Sequence, residues 1–183
     1  MDFVHDQLAS GQRIRTLSII DNFTRECLAL EVDTSLPSLR VIRVLDQIAE
    51  QRALPQVIRT DNGPEFTSRR FLSWSMEKHV RATTIEPGKP RSEPIHRKLQ
   101  RTVSRRMLKR ELGFRNLNDA RSKVQQWRRD YNCVRPHSSL NNRSPEIFRQ
   151  AWEAVGEFPF KGELKKNSLN EEVSNPENHS SSW

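Results

Sequence analysis

The spacing of apolar residues changes near Leu36, and that change does most to limit how the chain can fold. Before it, the pattern has the period of strands. Arg13–Ile20 alternates, with Ile14, Thr16, Ser18 and Ile20 on one face and Arg15, Leu17 and Ile19 on the other. Both faces carry apolar side chains, as in a strand inside a covered sheet. Phe3–Leu8 reads as a shorter strand ahead of it, across the turn signal Ala9-Ser10-Gly11-Gln12. Cys27–Val32 reads as a third strand, beyond a turn at Asp21-Asn22. Three strands with tight connections predict an antiparallel meander.

From Leu36 to Arg52 the period is helical: Val41, Val44, Leu45 and Ile48 share a face, and Pro37 suits a first turn. Leu54-Pro55 ends that helix and Gln56–Thr60 reads as a fourth strand. A helix between strands implies a parallel crossover. Ser68–His79 predicts a second helix, with Phe71, Leu72, Trp74 or Ser75, and Met76 inward. Val80–Ile85 predicts a fifth strand, Pro87-Gly88-Lys89-Pro90 a rigid loop, and Pro94–Leu112 a long helix broken at Gly113. Leu117, Ala120, Val124, Trp127 and Tyr131 then mark an amphipathic helix capped by Asn118. Val134–Leu140 is a turn, and Ser144-Pro145-Glu146 opens a short helix carrying Ile147, Phe148 and Trp152. The expected class is α/β, a five-stranded mixed sheet with flanking helices. Residues 1–112 are expected to form the core, 113–157 a helical extension of it, and 158–183 a disordered polar tail.

Charge is concentrated. Residues 89–135 hold 15 Lys/Arg and 4 Asp/Glu, a net of +11, although the whole chain is only +8. Such a block is an electrostatic footprint for a polyanion, or else a solvated helical face. It follows directly on a candidate acidic site, which favours nucleic acid. No apolar run approaches the roughly 18 residues of a membrane span. The first residues lack the features of a signal peptide. Cys27 and Cys133 form no CxxC pair, so neither a zinc site nor a disulfide framework is expected.

The candidate site begins at Thr60-Asp61-Asn62-Gly63-Pro64-Glu65-Phe66. An aspartate at a strand end, followed by Asn-Gly, puts a carboxylate at the rim of a sheet where the backbone turns sharply. Asp2 stands at the start of another strand, almost at the N-terminus, where fraying is expected. Asp6 and Asp21 read as turn-stabilising or solvated acids, and Glu65 as an acid favoured by a helix N-terminus. Trp127 and Tyr131 read as core, and His137 with Arg135 as packing for a closing turn.

Six segments together carry a family resemblance. They are Asp2 in its strand, Ile20-Asp21-Asn22-Phe23-Thr24-Arg25-Glu26, Arg59 through Phe66, Glu86-Pro87-Gly88-Lys89-Pro90, Trp127-Arg128-Arg129-Asp130-Tyr131-Asn132, and Arg135-Pro136-His137-Ser138-Ser139-Leu140. In this order they resemble the catalytic core of insertion-sequence transposases of the DDE, retroviral-integrase-like type, over roughly residues 1–150. The resemblance implies a ribonuclease-H-like fold. It also implies metal-dependent DNA strand cleavage and strand transfer by 3′-hydroxyl attack, using two Mg²⁺ or Mn²⁺ ions. By resemblance Asp2 and Asp61 bind metal. The family's third acid is a glutamate with thirty-five residues between it and the second aspartate, and Arg97 stands at that place. Glu93, four residues earlier, fits the family's local pattern in Glu93-Pro94-Ile95-His96-Arg97-Lys98-Leu99 if the preceding loop is shortened. Either Glu93 completes the centre, or the third acid is lost and the chain is an inactive DNA-binding remnant. Lys89, Arg91, Arg97, Lys98, Arg101 and Arg105 are the DNA-backbone candidates. Implied partners are transposon ends and target DNA, further copies of the chain on DNA, and a separate helix-turn-helix subunit. The implied setting is the bacterial cytoplasm, at the nucleoid.

Overall fold

The computed structural model of the protein describes residues 1–84 and 113–155. The expected loop at Pro87–Pro90, the helix over Pro94–Leu112, Glu93, the six basic candidates and the tail lie outside the described residues.

The meander is present. Strands β1 (Asp2–Gln7), β2 (Arg13–Ile20) and β3 (Cys27–Asp33) form an antiparallel sheet in the order β1-β2-β3. Instead of fraying, β1 is paired along its whole length, from Asp2 opposite Ser18 to Gln7 opposite Arg13. Helix α1 (Ser38–Ala49) then leads to β4 (Val57–Thr60). A four-residue turn of helix, α2 (Pro64–Thr67), and α3 (Arg69–Glu77) connect β4 to β5 (Arg81–Thr84). Strands β4 and β5 pair in parallel, as the crossover predicts. The five expected strands therefore occur as three plus two rather than as one continuous ladder. Across the join, the Met1 backbone nitrogen donates to the Arg59 carbonyl at 2.6 Å.

Both faces of β2 are covered, which explains why neither of its stripes is polar. Leu17 and Ile19 meet Val41, Val44 and Leu45 of α1, with Phe66, Phe71 and Trp74, in one core. Ile14, with Leu30 and Val32 of β3, meets Ala120, Val124 and Tyr131 of helix α4 (Leu117–Cys133) in the other. A single 3-10 turn at Ser138–Leu140 and helix α5 (Pro145–Val155) complete the described chain.

Several side chains stand elsewhere than the spacing predicts. On α3, Leu72 and Met76 are exposed (40% and 76%), while Phe71, Trp74 and Ser75 are buried. The Trp74 indole N–H donates to Asp46 of α1 at 2.9 Å, and this fixes which stripe faces inward. On α5, Phe148 is buried but Ile147 and Trp152 are largely exposed. The N-cap of α4 is Asn116, not Asn118: its side-chain oxygen accepts from Asp119 N–H at 2.9 Å, while the Asp119 carboxylate accepts from Arg115 N–H at 2.9 Å. The first bond satisfies a donor that a bare helix end leaves orphaned, and the second ties the chain just before the cap to the first turn.

Helix α4 also closes the sheet edge. The outward carbonyls of β3 recur every second residue, and polar side chains of α4 reach each of them. Arg121 donates to Val32 at 3.1 Å, Gln125 to Leu30 at 2.9 Å, and Arg128 to Leu28. Asn132 both donates to the Cys27 carbonyl at 3.0 Å and accepts from the Cys27 N–H at 2.9 Å. An open edge is a template for unwanted strand pairing, and this latch occupies it. Asn132→Ala strips both bonds from Cys27 at once. The expected loss is about 1–3 kcal/mol, read as a lower urea midpoint with an unchanged denaturant slope.

Candidate active site

The acidic site lies where β1 begins and β4 ends. Thr60, the last residue of β4, is buried, and Asp61 follows it out of the sheet. The Asp61 carboxylate turns back to accept from Gly63 N–H at 3.0 Å, which fixes one oxygen. Asp2 is held in the same way by Phe3 N–H at 2.6 Å. The two carboxyls are close enough for the Asp61 charge to act directly on Asp2. The structure thus brings together two of the three acids picked from the sequence.

Burial first, and then the Asp61 charge, push the Asp2 carboxyl up to about 6. Two carboxylates this close cannot both ionise freely unless a proton or a cation lies between them. Among the described residues, no Lys or Arg side chain is ion-paired with either acid. The sign of the resulting pH effect is definite. Asp2 holds its proton in the native state above its ordinary 3.8, so the stability it contributes is full below that value and is lost as pH rises through about 6. In metal-free buffer, native protein should lose roughly 1 kcal/mol over that window relative to an Asp2→Asn variant, after allowance for solvent screening. Paired thermal melts at pH 4 and 7 measure it. A pH-independent gap between the two proteins would place Asp2 away from Asp61.

Gly63 suits this place by its lack of a side chain rather than by an unusual backbone angle. A Cβ on it would stand 3.0 Å from both Asp61 Oδ1 and Glu65 Oε2. Pro64 follows at the first helical position of α2, a place that its missing N–H suits. Glu65 lies in the first helical turn, as expected, but its main partner is the Arg15 guanidinium, with which it forms an ion pair. Burial works to raise the Glu65 carboxyl, but the Arg15 hydrogen bond, a backbone hydrogen bond and the Arg15 charge together outweigh it, holding the group below its ordinary range. Sequence spacing could not reveal this pair, whose members are fifty residues apart.

The remaining candidates fall as follows. Asp21 stabilises its turn by accepting from Phe23 N–H at 2.7 Å, and Asp6 accepts from Gln7 N–H at 2.8 Å. Tyr131 is core, stacked on Trp127 with ring centroids 4.9 Å apart. His137 packs edge-on against Tyr131 at 4.7 Å and shapes the closing turn, its N–H donating to the Arg143 carbonyl. Both cysteines are free. Beside the acid pair, a cavity of about 770 Å³ opens between the end of β2, α1 and β4. Its lining includes Met1, Ile19, Leu45, Ile48, Arg52 and Arg59. No described helix is long and apolar enough to cross a membrane. No group of three His, Cys, Asp or Glu side chains able to hold a metal occurs among the described residues.

A meander followed by a parallel pair, helices on both faces, and acids on β1 and after β4 define a ribonuclease-H-like core of the integrase class. The HTLV-2 integrase catalytic core domain in complex with magnesium has this fold, with a TM-score of 0.62, covering 80% of this chain and 94% of that one at 15% identity. Two integrase core domain families match residues 1–90 and 78–145, and the chain belongs to the integrase core domain family. It is 41% identical over 148 residues to the insertion element IS476 uncharacterized 39.2 kDa protein of Xanthomonas euvesicatoria, covering 81% of this chain and 42% of that protein. It is 37% identical over 159 residues to the insertion element IS407 uncharacterized 31.7 kDa protein of Burkholderia multivorans, covering 87% and 57%. The chain spans about half the length of these two relatives.

Proposed function

We propose that the chain is the catalytic core of an insertion-element transposase, one that cuts DNA strands and joins their 3′-hydroxyl ends to new phosphodiesters. The closeness of Asp2 and Asp61 carries this reading. Hard oxygen ligands forced together, with negative charge in excess, suit Mg²⁺ or Mn²⁺ and suit soft metals poorly. Asp2 and Asp61 would hold two such ions, with Glu93 as the third acid. When bound, the ions supply charge stabilisation to the attacking and leaving oxygens of an in-line displacement. The protein's own part is orientation. The Phe3 and Gly63 N–H groups each occupy one carboxylate oxygen and aim the other. Lys89, Arg91, Arg97, Lys98, Arg101 and Arg105 supply phosphate contacts, which give affinity and salt dependence rather than sequence reading. The partners in this reading are element ends and target DNA, further copies of the chain, and a separate helix-turn-helix subunit that selects the ends. The place of action is the nucleoid in the bacterial cytoplasm.

One observation favours a second reading, an inactive DNA-binding remnant: Arg97 occupies the position of the family's glutamate. Calorimetric titration of Mn²⁺ into the full chain, and into Glu93→Ala and Arg97→Ala variants, separates the two. Saturable binding weakened by Glu93→Ala supports the transposase. Weak binding, indifferent to Glu93 and improved by removing the Arg97 charge, supports the remnant.

A further inference from the structure

We infer that Arg15 and Glu65 form a clamp that sets the spacing of Asp2 and Asp61, which makes both of them positioning residues for the acid pair. The inference rests on the metal-centre reading above and assigns two further residues to it.

Asp2 lies in the three-stranded sheet, and Asp61 follows the end of β4, which belongs to the other. Among the described residues, one backbone hydrogen bond, from Met1 to Arg59, joins β1 to β4. A single bond at one point does not fix two side chains that must share cations. Arg15 supplies a second tie. It lies on β2, on the far side of β1 from β4, yet its guanidinium reaches across the face of β1 to Glu65 in α2. On the way it lies over the Phe3 ring, 4.1 Å from the centroid. The Phe3 ring in turn stacks on Phe66 at 5.2 Å and 22°.

One end of the tie packs on the residue after Asp2, and the other stands beside the turn that holds Asp61. Phe3 is the residue after Asp2, and its N–H donates to the Asp2 carboxylate. At the other end, Glu65 Oε2 and Asp61 Oδ1 crowd the same small space above Gly63, each 3.0 Å from the point a Cβ would occupy. Glu65 thus shares with Asp61 the approach to Gly63. Arg15 anchors it by its other oxygen, Oε1. The pair is also shielded, with the two side chains only 24% and 11% exposed, unlike surface ion pairs that water screens. Arginine is needed because one planar group must stack on a ring and pair with a carboxylate at the same time.

The test uses the full chain and two readouts: Mn²⁺ affinity by calorimetry, and the exchange rate of the Gly63 amide by NMR without metal. Arg15→Gln and Glu65→Gln should each weaken Mn²⁺ binding about tenfold, as losing a partner of a metal ligand does. Each should also speed Gly63 exchange about tenfold, because the Asp61 turn is freed. Arg15→Lys keeps the charge but not the planar group stacked on Phe3, so it should recover only part of the Mn²⁺ affinity, to about threefold below native. A fall in melting temperature with Gly63 exchange unchanged, or with Mn²⁺ affinity unchanged, would show a merely structural tie and overturn the clamp. If native protein binds no Mn²⁺ saturably but both Gln variants free Gly63, the clamp stands as the spacer of the two acids and the transposase reading falls. If native protein binds Mn²⁺ and neither readout moves, the transposase reading stands and the clamp falls.

Discussion

Asp61→Asn should cost the chain at least about 100-fold in Mn²⁺ affinity, or roughly 2.7 kcal/mol, while leaving it folded and no less stable. Asparagine keeps the shape of aspartate, and its amide oxygen still accepts from Gly63 N–H, so the turn is preserved. What disappears is one anionic oxygen pair from a site whose attraction for a cation comes from crowding two negative charges. Without metal, the same substitution removes the Asp61 charge, which acts after burial in pushing the Asp2 carboxyl up to about 6. The melting temperature in chelator should therefore be equal to or above that of the native chain. Loss of binding together with a gain in metal-free stability is the mark of a functional centre that works against the fold. Unchanged Mn²⁺ affinity would move the centre away from Asp61.

The second large effect concerns the fold. Tyr131→Ala should destabilise the protein by about 3–5 kcal/mol, read from urea unfolding. The ring is 1% exposed, stacks on Trp127 and meets His137 edge-on, and it closes the core between α4 and the sheet. Its hydroxyl behaves differently. It is buried without a hydrogen-bond partner among the described residues, and burial raises the phenol above its ordinary range. Tyr131→Phe should accordingly be neutral or stabilising by up to about 1 kcal/mol. A large loss on Tyr131→Phe would mean that the hydroxyl has a partner, with ordered water as the first candidate.

Strand β2 was legible to the residue, because a strand buried on both faces leaves a long apolar alternation between turn signals. Helix α3 was legible in place but not in rotation. Phe71, Trp74 and Ser75 form one stripe, Leu72 and Met76 the next, and nine residues are too few to rank them. The Trp74–Asp46 bond decides, and it depends on the neighbouring helix. The true cap of α4 was within reach. Asn116 stands three residues before Asp119, whose N–H it caps and whose acid suits a first helical turn, whereas three residues after Asn118 stands Arg121. At the acid site, Asp61 is announced by its turn residues and Asp2 by its strand. Their meeting is a tertiary fact, as is the Arg15–Glu65 pair that no local pattern encodes. Nothing in the local sequence marks Arg121, Gln125, Arg128 and Asn132 as partners of a strand edge. Polar side chains that bond to strand carbonyls have the same periodicity as ones that face water.

That row of side chains works as a vernier, two rulers of different pitch brought into coincidence. Steps of four, three and four residues along α4 match steps of two, two and one along Leu28, Leu30 and Val32 down to Cys27. The helix advances about 1.5 Å per residue and the strand about 3.3 Å, so the marks coincide only in one phase. Changing a single mark removes only that mark's own bonds. Adding one residue between Gln125 and Arg128 turns everything beyond it by about 100° and misaligns all the later marks together. Length variation in this protein therefore belongs in the connections at 113–116 and 134–143, and α4 itself should keep its residue count even where its composition drifts.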